Sequence, residues 1–158
     1  MVYNIETMRE IIKIVEVKYN LGKIEIIECD MFACEPKEKI LYIAKDDEDE
    51  IEIEGNKFLE KYLDETFDLK IPYEKMYIFS VLHELGHLIT FPSINEKQYW
   101  KEISEENEDF LKHRQVYGEY IADKWEIEYI KKNGIRAVCE KETKEEEEKY
   151  GKDKARTG

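Results

Sequence analysis

The feature that most constrains the fold is an apolar segment, MYIFSVL at residues 76–82, which continues without a break into HELGH at residues 83–87. Pro72 suits the first turn of a helix, and Pro92 favours a helix end shortly before it. Between the two prolines the chain would be apolar on most faces of a helix, a pattern typical of a helix buried in the middle of a domain. We therefore expect a central, buried helix that carries two histidines and a glutamate.

The rest of the chain is highly polar. Charged residues make up 40% of its 158 residues and hydrophobic residues 42%, which predicts a modest core under a heavily charged surface. The 11 tyrosines argue against global disorder. A chain of this length usually forms one domain, which we place at residues 1–139. Residues 140–158 have almost no apolar content and are predicted to be a charged tail or a solvated helix.

The formal net charge of −13 bears on the partners of the chain. A surface of this sign repels phosphate backbones and anionic lipid head groups, so we expect a basic protein partner, no nucleic acid and no membrane. No segment approaches the roughly 20 apolar residues of a membrane span, and the first residues do not resemble a signal peptide. Cys29, Cys34 and Cys139 lack CxxC spacing and are odd in number, which indicates reduced thiols. These features predict a cytoplasmic protein.

Hydrophobic periodicity predicts an α+β fold, in which a small N-terminal sheet packs on the central helix and on a C-terminal helical half. Asn4 is the expected N-cap of the first helix. The predicted elements, in chain order, are a helix at 5–19, strands at 24–28 and 40–44, an acidic loop at 46–50, a short edge strand at 51–53, helices at 58–67 and 72–90, and at 96–132 either one helix or two that meet near His113. Pro36 predicts a turn between the first two strands, and Asn133 with Gly134 predicts the last helix end.

The run His83-Glu84-Leu85-Gly86-His87 carries the chemistry of the central helix. Positions i and i+4 lie on one face of a helix, so His83 and His87 can present two imidazole nitrogens to one zinc ion. Zinc lowers the pKa of a bound water to about 7, and Glu84 is placed to accept the proton of that water as general base. The alternative, two core-packed histidines without a metal, would leave buried polar groups to satisfy. Gly86 is unfavourable in a helix interior, which predicts that another backbone or a substrate approaches closely there.

A catalytic zinc needs a third protein ligand. The motif HExxHxxGxxH cannot supply it, because Thr90 and Ser93 replace its glycine and its last histidine. Glu119 offers a carboxylate on a second helix. One turn further on, Asp123 is placed to accept the other ring N–H of a ligating histidine. The small Ala122 would allow this helix to pack closely on the first.

His113 is the competing third ligand, although its neighbours Lys112 and Arg114 indicate an exposed helix junction. It could instead stabilise the oxyanion of a tetrahedral intermediate. Tyr117 and Tyr120 could perform the same task through their hydroxyl groups. The sequence leaves this choice open.

The run HELGHLIT, followed by ExxAD at residues 119–123, resembles the gluzincin peptidases. The greatest similarity is to the small ImmA/IrrE-type metallopeptidases of bacteria, phages and mobile elements, over about residues 76–131. The resemblance implies a zincin-like fold, zinc at His83, His87 and Glu119, and Glu84 as general base. It also implies cleavage of a repressor-like, DNA-binding regulator. An extended substrate would be expected to pair with an edge strand beside the active-site helix.

Three functions are consistent with these residues. The first is a zinc-dependent endopeptidase that cleaves a specific intracellular protein, and the acidic surface favours a basic substrate. The second is a zinc-stabilised binding protein, such as an inhibitor or antitoxin, that acts by docking without proteolysis. The third is a metal hydrolase with a substrate other than a peptide, because the water-activating residues are not specific for amides. A biological effect that is unchanged in Glu84→Gln would favour the second function, the binding protein.

Overall fold

A computed structural model of the chain describes residues 1–47, 49–97, 101 and 117–138. In this part the chain has an α+β fold of four helices and one small sheet, which confirms the predicted fold class. The helices are α1 (Ile5–Lys18), α2 (Glu50–Phe67), α3 (Met76–Thr90) and α4 (Tyr117–Val138), and the strands are β1 (Glu25–Cys29), β2 (Ala33–Glu35) and β3 (Ile40–Ala44). Short 3-10 turns at Tyr73–Lys75 and Phe91–Ser93 flank α3.

The sheet has the order β1-β3-β2. β1 pairs with β3 in parallel, and β2 pairs with β3 in the antiparallel direction, with Cys34 opposite Leu41. The central strand β3 has the predicted limits, and its side chains Leu41 and Ile43 are fully buried. β2 was not predicted, because three partly exposed residues are too few to show an alternating pattern. It forms one edge of the sheet and packs beside α3.

Helix α3 is the centre of the domain, as its apolar sequence predicts. It packs against α1, α2, α4 and two strands, and most of its side chains are buried, including Phe79, Leu82 and Leu85. α3 ends at the predicted position, Thr90, two residues before Pro92. In this last turn the Thr90 hydroxyl donates a hydrogen bond of 2.7 Å to the backbone oxygen of Gly86. Neighbours on all sides therefore hold the residues of the HELGH run in place.

The first helix also follows its sequence signals. Asn4 caps α1, because its side-chain oxygen accepts the backbone N–H of Thr7 over 3.0 Å. The apolar face of the helix, which includes Met8, Ile11 and Val15, is buried in the core that contains α3. This packing closes one side of the central helix.

The sequence interpretation was wrong at the start of α2. Ile51 and Ile53, predicted as an edge strand, lie in the first turn of α2. Asp49 Oδ1 accepts the backbone N–H of Ile51 over 2.9 Å, so an N-cap overrides the strand preference of the isoleucines. The acidic loop before α2 is also not fully solvated: Asp47 is 1% exposed and lies 3.0 Å from the amino group of Met1.

Helix α4 covers the part of the C-terminal helical prediction that the structure describes. Gly134 has φ 73° and ψ 149°, which interrupts the helix at the predicted end. His113 and the predicted tail at residues 140–158 lie outside the described residues. In the part of the chain that is described, no helix is both long and apolar enough to cross a membrane.

Candidate metal centre

The two histidines of α3 are held at its interface with α4. His83 and His87 are 7% and 6% exposed. Their Nε2 atoms are 3.1 Å apart, as expected for side chains one turn apart on the same face of a helix. Both rings therefore direct Nε2 to one point at this interface.

Glu119 reaches the same point from α4. Its Oε2 lies 2.6 Å from His83 Nε2, and its Oε1 lies 3.1 Å from His87 Nε2. The three ligands predicted from the sequence are thus together in one cluster, in which the candidate ligand atoms lie within 4.8 Å of one another. Tetrahedral zinc with ligands at 2.0–2.1 Å would separate neighbouring ligand atoms by roughly 3.3 Å. The observed spacings are slightly shorter, so a small expansion would admit the ion.

The hydrogen-bonding chemistry of the cluster fits a cation. His83 donates from Nδ1 to Asp123 Oδ1 over 2.8 Å, so the neutral form of His83 carries a lone pair on Nε2. That lone pair faces the carboxylate of Glu119 and Nε2 of His87, which are also acceptors. Acceptors this close require either extra protons or a cation between them. A zinc ion would satisfy all three residues at once.

The pKa of His83 expresses the same preference for positive charge. Burial alone lowers the pKa of this imidazole, but its contacts with Asp123 and Glu119 raise the pKa well above the ordinary value. Without a metal, the imidazolium ion balances the carboxylates. Metal binding would replace that proton.

A second carboxylate behind His83 was missed in the sequence. Glu126 is fully buried, and its Oε1 lies 3.9 Å from His83 Nδ1, beside Asp123. The signal was present, because Glu119, Asp123 and Glu126 follow the i, i+4, i+7 spacing of one helix face. α4 therefore contributes a row of three acids to the histidines of α3.

Gly86 sets the distance between the two helices. A Cβ atom at this position would lie 2.8 Å from Ala122 O and 3.2 Å from Ala122 Cα. The predicted close approach at Gly86, with Ala122 on the opposite helix, is confirmed. It brings the backbone of α4 near enough for the side chain of Glu119 to reach both imidazoles.

Glu84, the predicted general base, is more accessible than the two histidines on the same helix. Its side chain is partly exposed, whereas His83 and His87 are buried. Glu84 also affects Cys34 of β2: burial raises the pKa of this thiol, and the negative charges of Glu84, Glu35 and Glu119 raise it further. The edge strand β2 packs beside α3, and the charges of Glu84 and Glu119 act on its Cys34. Cys29 and Cys34 are free cysteines, and Cys139 lies outside the described residues.

The three candidates for oxyanion stabilisation differ in what the structure describes. Tyr120 follows Glu119 on α4, and its side chain is 56% exposed. Its hydroxyl makes no hydrogen bond with another described residue. Tyr117 begins α4, but its side chain, like the whole of His113, lies outside the described part. Of the three, Tyr120 is the candidate whose side chain the structure describes, and its role stays a prediction.

No protein-family model matches this chain, and neither a curated protein nor a solved structure shows significant similarity to it. Its function must therefore be inferred from the residues and geometry of this site.

Proposed function

We propose that the chain is a zinc-dependent endopeptidase that cleaves a specific intracellular protein. The observation that carries this proposal is the convergence of His83 Nε2, His87 Nε2 and the Glu119 carboxylate, with atoms 2.6–3.1 Å apart. Two histidines and a carboxylate are a ligand set of catalytic zinc sites, which keep a further coordination position for water or substrate. The helix that carries the histidines also supplies a general base, Glu84.

Each residue has a distinct task in the proposed reaction. His83, His87 and Glu119 would hold the metal, and Asp123 would fix the ring of His83 through its Nδ1–H. Zinc in this site would supply an acidified water and polarise the substrate carbonyl. Glu84 accepts the proton of the attacking water and passes it to the leaving amine.

The choice of a peptide substrate has separate support. The run HELGHLIT with ExxAD resembles the gluzincin peptidases, in particular the ImmA/IrrE type, and we propose a zincin-like arrangement on that basis. The edge strand β2 lies beside α3, where an extended peptide could add to the sheet. The net charge of −13 would attract a basic protein, such as a repressor-like DNA-binding regulator.

The test is the digestion of a peptide library by zinc-loaded protein, with new N-termini identified by mass spectrometry. A library prepared by cleavage at acidic residues keeps lysine and arginine inside its peptides. The acidic protein should attract such basic peptides. We expect cleavage by the wild type and by Glu74→Gln, an exposed charge-matched control, and a loss of at least about 100-fold in Glu84→Gln, the lower range for general-base catalysis. Zinc content measured by elemental analysis should be equal in all three proteins.

Equal cleavage by wild type and Glu84→Gln would refute the proposed mechanism. The alternative, a zinc-stabilised inhibitor or antitoxin that acts by docking, predicts a different set of results. Neither protein would then cleave any peptide, both would bind zinc, and Glu84→Gln would leave the biological effect unchanged.

A further inference from the structure

A cavity of about 250 Å³ is lined by residues of α2, α3, the N-terminal segment and the loop before β2. Its wall includes Ser80 of α3, Leu59 of α2, Tyr3, and Phe32, the residue before β2. Ser80 is four residues before Glu84, which is a distance of about 6 Å along a helix. The cavity is therefore one helical turn away from the proposed general base.

The cavity also lies on the same face of α3 as the catalytic residues. Seven residues separate Ser80 from His87, and at 3.6 residues per turn the two point within about 20° of each other. Phe32 lies just before β2 and two residues before Cys34, so the Cα atoms of these two residues are at most about 7 Å apart. β2 packs against α3, and α3 carries both Ser80 of the cavity wall and the histidines of the metal centre.

This spacing fixes which part of a substrate could enter the cavity. An extended peptide advances about 3.3 Å per residue. A peptide lying between β2 and α3 would thus place, over the cavity, a side chain two or three residues from the bond at the metal centre.

The cavity combines an apolar wall with an acidic rim. Tyr3, Phe32 and Leu59 supply the apolar surface, whereas Asp30 and Glu52 supply carboxylates. The pKa of Glu52 is raised, first by partial burial and then by the negative charges of neighbouring acids, including Asp30. Within the described ranges, no lysine or arginine lies at ion-pair distance from Asp30 or Glu52. A cation that entered the cavity would relieve this repulsion.

We propose that this cavity binds a basic side chain of the substrate, arginine by preference, two or three residues from the cleaved bond; this inference rests on the proposed peptidase function. The methylene stem of arginine would pack on Leu59, and its planar guanidinium could lie against the ring of Tyr3 or Phe32. The guanidinium could donate several N–H hydrogen bonds to Asp30 and Glu52. The ammonium group of a lysine matches the geometry of carboxylates less well. The acidic protein thus has a defined place for one residue of a basic partner.

Binding can be tested without cleavage. The probe is Nα-acetyl-L-arginine amide, and its neutral isostere, Nα-acetyl-L-citrulline amide, is the matched ligand. NMR shifts of the Gly55 and Asn56 amides, which line the cavity, should change with the arginine probe and much less with citrulline. Asp30→Asn with Glu52→Gln should weaken arginine binding roughly three- to tenfold, the range for two partly solvated ion pairs.

Glu65→Gln is the charge-matched control, because this exposed residue lies 13 positions after Glu52 on the same helix, about 20 Å away. Unchanged arginine binding in this control supports the proposal. Equal shifts with citrulline and arginine, or full binding by the double variant, would overturn it.

The cleavage library provides the second measurement. Wild type and the control Glu65→Gln should favour arginine or lysine two or three residues from the cleaved bond, whereas Asp30→Asn with Glu52→Gln should lose that preference. Cleavage without any basic preference would overturn the cavity proposal and leave the peptidase proposal intact. Binding of the arginine probe without cleavage of any peptide would support the cavity and contradict the peptidase.

Discussion

At the scale of single residues, the site is defined by which ring nitrogen of His83 carries a proton. Its Nδ1–H is engaged by Asp123, so Nε2 is directed at Glu119 and His87. Asp123 therefore does more than add charge, because it orients the ring and selects the nitrogen that faces the cluster. Glu119 approaches both histidines, so it links α4 to α3 at the proposed metal site.

Replacement of Glu119 by glutamine tests this assignment. The amide keeps the shape of the side chain but loses the negative charge that zinc favours, so we expect zinc affinity to fall by at least about 100-fold, the upper range for loss of an outer-shell partner. Glu128→Gln is the matched control, since this residue is exposed on the same helix. Competition with a chromophoric chelator measures both affinities. Equal affinity in wild type and Glu119→Gln would remove Glu119 from the ligand set.

At the scale of elements, the site depends on how closely α3 and α4 pack. Gly86 faces the backbone of Ala122, and a methyl group at Gly86 would lie 2.8 Å from a carbonyl oxygen that cannot move independently of its helix. Separation of the helices would withdraw Glu119 from His83 and His87. Packing at one glycine thus controls the geometry of all three proposed ligands.

Gly86→Ala should therefore destabilise the protein, although alanine is the better helix former. We expect the free energy of unfolding to fall by about 1–3 kcal/mol, the usual cost of overpacking. Gly55→Ala is the matched control in α2, where a Cβ atom would meet nothing within 4 Å, and it should raise stability by about 0.5–1 kcal/mol. Urea unfolding of both variants checks the difference. A gain in stability for Gly86→Ala would contradict the close packing of α3 on α4.

How much could be predicted from the sequence also depends on the element. α3 and β3 were predicted correctly because their apolar patterns are long or continuous, and burial then follows from them. β2 was not predicted, because a strand of three residues is too short to show an alternating pattern. The first turn of α2 was predicted as a strand, because its isoleucines favour strands and the N-cap at Asp49 was not recognised. Within the site, spacing along one helix predicts which side chains share a face. It does not predict the distance from α3 to α4, so the approach of Glu126 to His83 had to come from the structure.

At the scale of the whole molecule, two places carry an excess of acidic groups in a chain that already has a net charge of −13. One is the row of three acids on α4 that contacts the histidines, Glu119, Asp123 and Glu126. The other is the acidic rim of the cavity, which includes Asp30 and Glu52. Each favours a positive partner of a different kind, a metal ion in the first and a basic side chain in the second. The two sites lie along one face of α3, so a single basic peptide could occupy both the cavity and the catalytic position.

The stability of the metal-free protein should depend on pH through His83. The folded-state pKa of this residue is raised, because Asp123 and Glu119 outweigh the effect of burial. A raised pKa means that the folded state holds the proton more tightly, so the stabilisation is complete below the unfolded pKa of about 6.5. It is lost as the pH rises through the folded pKa. We expect urea unfolding of the metal-free protein to show decreasing stability from pH 6.5 to pH 9.

Zinc should reverse the dependence on pH at the same site. Zinc binding requires neutral imidazole, so the affinity should rise over this range as His83 loses its proton, and calorimetry in buffers of different ionisation enthalpy should detect proton release. Asp123→Asn removes one of the charges that raise the pKa, and it should flatten the pH dependence of the metal-free protein. Stability that stays constant or rises from pH 6.5 to pH 9 without metal would contradict an imidazolium ion between Asp123 and Glu119.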